Sequence, residues 1–244
     1  MTAAKTRFWA LTKKELYSQL HAPLFYGVLV FFLLFTGIWL FYIQRYFSMN
    51  AATLRPYFAG FPIALSLVIP ALTMKSWAEE RKLGSLELLL SLPFSEWDLV
   101  LGKFLATLIM LSLMLISTLP LPLSLLLLGD FDPGVVAAEY LGAFLLCASA
   151  AALGQFLSSL AKNQAAAFLG SLAVLIIVMF INRVAENAEL PALIAGGINF
   201  ISLAFHFESF AKGLLDSRDL AFFMLSAALF LYLNTRVLIF RKWS

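Results

Sequence analysis

Lys75-Ser76-Trp77-Ala78-Glu79-Glu80-Arg81-Lys82-Leu83-Gly84-Ser85-Leu86-Glu87-Leu88-Leu89-Leu90-Ser91-Leu92-Pro93 is a charged island between two apolar runs. Tyr57 to Met74 before it holds no charge, and Leu101 to Leu128 after it holds only Lys103. Glu79, Glu80, Arg81 and Lys82 are expensive to place in hydrocarbon, so the island is expected at a membrane surface. Its start is charged and its end is an apolar helical run, Leu86 to Leu92, that needs cover from lipid or a partner. Gly84 offers a bend or a close backbone approach, and Pro93 stops the run. A short rigid helix with a docking face, joined to two spans, has the parts of a lever.

The rest of the chain reads as membrane. Of 244 residues, 62% are hydrophobic and only 13% charged, against about a quarter charged in soluble domains. The mean hydropathy is +0.91. Runs of the roughly 20 apolar residues needed to cross a bilayer recur along the whole length. The expected architecture is one all-α integral membrane domain over residues 1–244. An amphipathic helix at 6–20, with Phe8, Trp9, Leu16 and Leu20 among basic residues, suits a membrane surface. Six spans follow at about 23–43, 57–74, 101–128, 135–160, 165–181 and 219–240, with a coupling region at 75–100. Pro62 and Pro70 lie inside the second span and are expected to kink it. Gly129 to Gly134 is a tight turn. Residues 182–217 are mixed, and Phe200 to Phe210 is too polar to span yet apolar enough to dip into the membrane edge. Ala150, Gly154 and Ser158 repeat at four-residue spacing, which lets helix backbones approach closely in lipid.

Six spans put both termini on one side. Of the seventeen Lys and Arg residues, Arg45, Arg55, Arg183, Lys212 and Arg218 fall on the far side and the other twelve on the side of the termini. Positive residues stay cytoplasmic, so both termini and the island are expected in the cytoplasm. A net charge of +3 is too small to suggest nucleic acid.

Several chemistries find no residues. Cys147 is the single cysteine, so no intrachain disulfide can form, and no Cys and His share metal-ligand spacing. Met1 to Leu20 lacks the apolar core of a signal peptide. Gly102-Lys103 is followed by Phe104, and Trp97 stands where a phosphate-binding loop needs glycine. No catalytic residue, metal site or cofactor is therefore expected in this chain. A gradient-driven carrier normally buries ionisable residues mid-span, whereas Glu139 and Arg236 lie near span ends. The energy for any work is expected from outside the chain.

The run Ala78 to Pro93, followed by Leu101-Gly102-Lys103-Phe104, closely resembles the permease subunits of ABC-2 type transporters. Within these it looks most like the gliding-motility and nitrous-oxide-reductase-maturation permeases. Gly154 to Leu160 with Asn163-Gln164, His206 to Gly213 and Asp216 to Asp219 are similar to that group as well. Ser85 stands where threonine is common, and both keep a hydroxyl. The resemblance implies a type V exporter fold in a bacterial inner membrane. It implies a second permease copy and a cytoplasmic ABC ATP-binding subunit that holds the ATP and Mg. The N-terminal helix becomes a connecting helix, the island a coupling helix, and residues between spans five and six short re-entrant helices outside. Glu79, Glu80, Arg81, Gly84, Ser85 and Glu87 are then expected to couple to the ATPase. The gliding-motility type adds an auxiliary membrane or periplasmic subunit, for which no residue here speaks.

Two other readings use the same residues. A non-transporting membrane anchor could recruit or regulate an ATPase through the same island. An intramembrane hydrolase could use Glu79-Glu80 with histidines, but His21 and His206 are expected on opposite faces of about 30 Å of hydrocarbon. His206 reads better as a satisfied polar residue, and Asp130 and Asp132 as turn residues.

Overall fold

The computed structural model describes residues 2–48, 53–91, 94–126, 132–187 and 191–242. The Leu92-Pro93 stop and Gly129 to Phe131 of the turn lie outside them. All regular structure among the described residues is helical, and six helices or helix chains are long and apolar enough to cross a membrane. In chain order the helices are α1 (Thr2–Leu20), α2 (Pro23–Ile38), α3 (Arg55–Phe58), α4 (Phe61–Thr73), α5 (Lys75–Lys82), α6 (Ser85–Ser91), α7 (Glu96–Ser117), α8 (Pro120–Leu126), α9 (Pro133–Leu160), α10 (Gln164–Asn187), α11 (Ala192–Ile201), α12 (Leu203–Ala211) and α13 (Ser217–Lys242). The spans are Pro23–Ser48, Arg55–Lys82, Glu96–Leu125, Pro133–Leu160, Gln164–Val184 and Ser217–Lys242. The second, third and fourth form the interior. In its most apolar stretch the second is 78% buried, against 22% for the first and fifth.

Helix α9 is the hub, packed against α4, α5, α7, α10, α12 and α13. Its sequence explains why. Ala143, Cys147, Ala150, Ala151 and Ala152 are all buried, and small side chains let neighbours come close. Gly142 lies against the Phe210 ring of α12, and a Cβ on Gly154 would come 2.5 Å from Thr73 Oγ1 of α4. Ser149 and Ser226 share a 2.6 Å hydrogen bond between α9 and α13. Asp132 begins α9 by accepting from the Gly134 N–H at 2.8 Å, the role expected of a turn aspartate.

Three local structures differ from the sequence expectation. Pro62 does not kink span two: the chain breaks before Phe61, and Pro62 occupies the first turn of α4, where its missing N–H costs nothing. Only Pro70 lies inside the helix. Residues 75–82 do not leave the membrane body as a loop but extend span two after a break at Met74, with Ser76, Trp77 and Ala78 buried. The N-terminal helix is more than a surface float. Leu11 and Thr12 are buried, and Gly102 of α7 meets Leu11 at a spacing that a Cβ would close to 3.0 Å.

Between spans five and six, Leu193–Ile201 and Leu203–Ala211 form a pair bent by 80°. Ser202 makes the bend: its hydroxyl has Met179 O and Asn182 Oδ1, both at 3.0 Å, as acceptors for its one proton, and it accepts from the Phe205 N–H. His206 is satisfied at both nitrogens, by Asp219 Oδ1 at 2.6 Å and Phe200 O at 3.1 Å, and its ring stacks on Phe222.

Candidate coupling site

The island and its surroundings gather at the end of the bundle that carries both termini. Lys242 of α13 meets Glu96 of α7 at 2.7 Å, and α1 packs along α7. There α5 is tied to three other helices, each tie traceable to a particular side chain.

The first tie bridges the break in span two. Met74 N still donates to Pro70 O at 2.9 Å. In an unbroken helix Trp77 and Ala78 would donate to the carbonyls of Thr73 and Met74. Instead both N–H groups donate to Ser158 Oγ of α9, at 3.2 and 3.3 Å. The same hydroxyl donates to Met74 O at 3.1 Å. One side chain of span four thus satisfies the backbone groups that the break in span two releases. Gly154, one turn earlier, gives the backbones the closeness this needs.

The second tie is a buried lysine. Lys103 of α7 is 3% exposed. Its ammonium lies 2.7 Å from Glu80 Oε1 of α5 and 3.2 Å from Glu15 Oε1 of α1. It also sits 5.1 Å from the centre of the buried Trp77 ring, where the face of the indole attracts a cation. Beside it Gln19 of α1 donates to Thr107 Oγ1 of α7 at 3.2 Å.

The third tie is Arg81. Its guanidinium donates to Ala161 O at 2.9 Å and Leu160 O at 3.4 Å, at the end of α9. Helix C-termini offer unpaired carbonyls with partial negative charge, so a cation there is doubly favoured.

After α5 the chain turns outward. Gly84 has φ +69°, a left-handed conformation that costs other residues about 1–2 kcal/mol. It ends α5 and starts α6. Leu83 is 71% exposed at this corner, and Lys82 and Glu87 are also exposed. Leu86 and Leu89 are buried by the chain itself, so part of the apolar run needs no outside cover.

The six island residues therefore separate into two groups. Glu80 and Arg81 face inward and hold neighbouring helices; Ser85 donates to Glu80 O at 3.3 Å. Gly84 and Glu87 lie on the exposed corner, and Glu79 is half-buried. Ala150, Gly154 and Ser158 are all buried in α9, with Ser158 acting through its hydroxyl and not only through its size. Nothing in the sequence marks Glu15 and Lys103 as partners of Glu80. Lys103 carries one signal, a lone charge three residues into an apolar run. Glu139 is a further surprise: it is fully buried in span four, and neither carboxyl oxygen has a hydrogen-bond partner among the described residues. Also among the described residues, no group of three His, Cys, Asp or Glu could hold a metal ion.

Six apolar spans around a small-residue hub, cross-tied at one end by buried polar side chains, define a multi-pass membrane body. The family model described as ABC-2 family transporter protein matches residues 9–226, from α1 into α13. The chain belongs to that family, as a membrane component of a transporter rather than a catalyst. No curated protein matches the chain.

Proposed function

We propose that this chain is the permease subunit of an ATP-driven transporter in a bacterial inner membrane. A separate ATP-binding subunit, holding ATP and Mg, docks on the cytoplasmic end that carries both termini. Two permease copies pair around the transport path and alternate between conformations as ATP is bound and hydrolysed. The observation that carries this reading is the triple tie of α5. Ser158, Lys103 and Arg81 connect the last segment of span two, α5, to α9, to α7 and α1, and again to the end of α9. A push on α6 therefore reaches spans two, three and four together.

The island divides this work. Leu83, Gly84 and Glu87 on the exposed corner form the docking edge, with Glu79 and Ser85 behind them. Glu80 and Arg81 transmit force inward. The break at Met74 is the pivot, because its backbone groups are held by a hydroxyl on another helix that can exchange partners. The decisive experiment is co-purification of the full-length chain with an ATP-binding subunit, followed by ATPase assay in proteoliposomes. The wild-type pair is expected to hold together, and Leu83→Glu with Glu87→Lys to lose the subunit while the permease stays folded. A permease that retains its ATP-binding subunit with both substitutions overturns the docking assignment. ATP hydrolysis stimulated by cargo marks a transporter, and hydrolysis indifferent to every cargo marks an anchor.

A further inference from the structure

A cavity of about 400 Å³ opens between α1, α2, α5 and α7, beside Lys103. Its charged lining is Lys14, Lys75, Lys103, Glu15, Glu79 and Glu80, a formal sum of zero. Lys103 is spoken for by Glu15 and Glu80. Lys14, Lys75 and Glu79 form no salt bridge among the described residues. Gln19 and Glu80 also belong to the cavity lining. Its free carboxylate, Glu79, asks for a cation with N–H donors. Its free lysines ask for an anion. One neutral molecule carrying both charges answers both demands.

The floor is apolar, formed by Leu24, Phe25 and Leu72. Leu24 also lines a second hollow, an almost wholly apolar groove of about 610 Å³ between α2, α4 and α10, with Phe31, Leu67 and Phe168 along it. Both volumes fall in the usual range for ligand sites, about 300–1,000 Å³. A polar cavity at the end of the spans that shares a wall with an apolar groove along them matches a molecule with a charged head and a hydrocarbon tail.

We propose that the cavity binds the headgroup of a zwitterionic phospholipid with a primary amine, with an acyl chain in the groove. Lys14 and Lys75 take the phosphate. Glu79 takes the ammonium, which has three donors where a quaternary choline has none. An anionic headgroup is disfavoured because it adds net charge to a neutral lining. The site requires the six-span membrane reading and no property of an ATP-binding subunit.

The test is native mass spectrometry of the full-length chain, equilibrated with equal amounts of phosphatidylethanolamine, phosphatidylcholine and phosphatidylglycerol. The wild type is expected to retain phosphatidylethanolamine about tenfold over either competitor. Lys14→Gln with Lys75→Gln removes the phosphate contacts and is expected to lower retention of all three lipids several-fold, and Lys162→Gln, outside the cavity, to leave it unchanged. Glu79→Gln breaks no salt bridge and gives the lining one net positive charge, so it is expected to move the preference toward phosphatidylglycerol. Equal retention of the three lipids by the wild type overturns the proposal. So does unchanged retention in the double-lysine variant or an unchanged preference in the Glu79 variant. Loss of bound phosphatidylethanolamine when the ATP-binding subunit joins also overturns it, since that subunit would then be the occupant.

Discussion

Lys103 and Glu139 are opposite solutions to a charge inside a membrane protein. Lys103 is held by two carboxylates and an indole face, whereas Glu139 has no hydrogen-bond partner among the described residues. Removing the lysine strands two carboxylates, and breaking a buried ion pair costs about 3–5 kcal/mol. Lys103→Met is therefore expected to lower the unfolding midpoint in detergent sharply. Adding Glu15→Gln and Glu80→Gln to Lys103→Met is expected to recover much of the loss; failure of that rescue denies the ion-pair account. Glu139 predicts the reverse. Burying an unpaired polar group costs about 1–3 kcal/mol, so Glu139→Met should raise the midpoint. A fall instead would mean that the carboxyl has a partner in the working protein. Neither environment was legible in the sequence. Glu15 stands 88 residues from Lys103 in the chain, and no local pattern announces a pair closed by α1 folding back onto α7.

Periodicity and composition anticipated helices and apolar spans, but the joints within span two depended on contacts from another helix. Pro62 and Pro70 look alike in sequence, yet one opens α4 and the other lies within it. The break at Met74 has no glycine or proline of its own; it survives because Ser158 supplies the bonds that the ladder lost. Ser158→Ala leaves those buried groups unsatisfied. It is expected to cost about 1–3 kcal/mol and to speed hydrogen exchange at Trp77 and Ala78 specifically. Protection unchanged at those two amides would show that the break is held by something else. Gly154→Ala drives a methyl into Thr73 and is expected to cost about 1–3 kcal/mol. Gly170→Ala, with open space around it, should be neutral or slightly stabilising in the same thermal assay. The small-residue spacing of α9 was readable from sequence. That one of those residues works by hydrogen bonding was not, since serine is common in membrane helices for its size alone.

At the scale of the whole molecule, the family match and the six spans agree with what hydropathy and the charged island announce. The island's division into an outward corner and an inward set of ties emerges only in three dimensions, because Glu79 and Glu80 are adjacent yet differ in partners. That division is the core of the proposed mechanism: a cytoplasmic subunit pushes at Leu83 and Glu87, and Glu80, Arg81 and the Ser158 bridge pass the push to spans two, three and four. Cys147, the single native cysteine, is fully buried, so Glu87→Cys can be labelled against a quiet background. The most direct measurement is maleimide labelling of Glu87→Cys with a membrane-impermeant reagent, in intact cells and in inverted vesicles, with and without the ATP-binding subunit. The mechanism predicts labelling in inverted vesicles only, and protection when the subunit is bound. Labelling from outside intact cells, or labelling indifferent to the subunit, contradicts it.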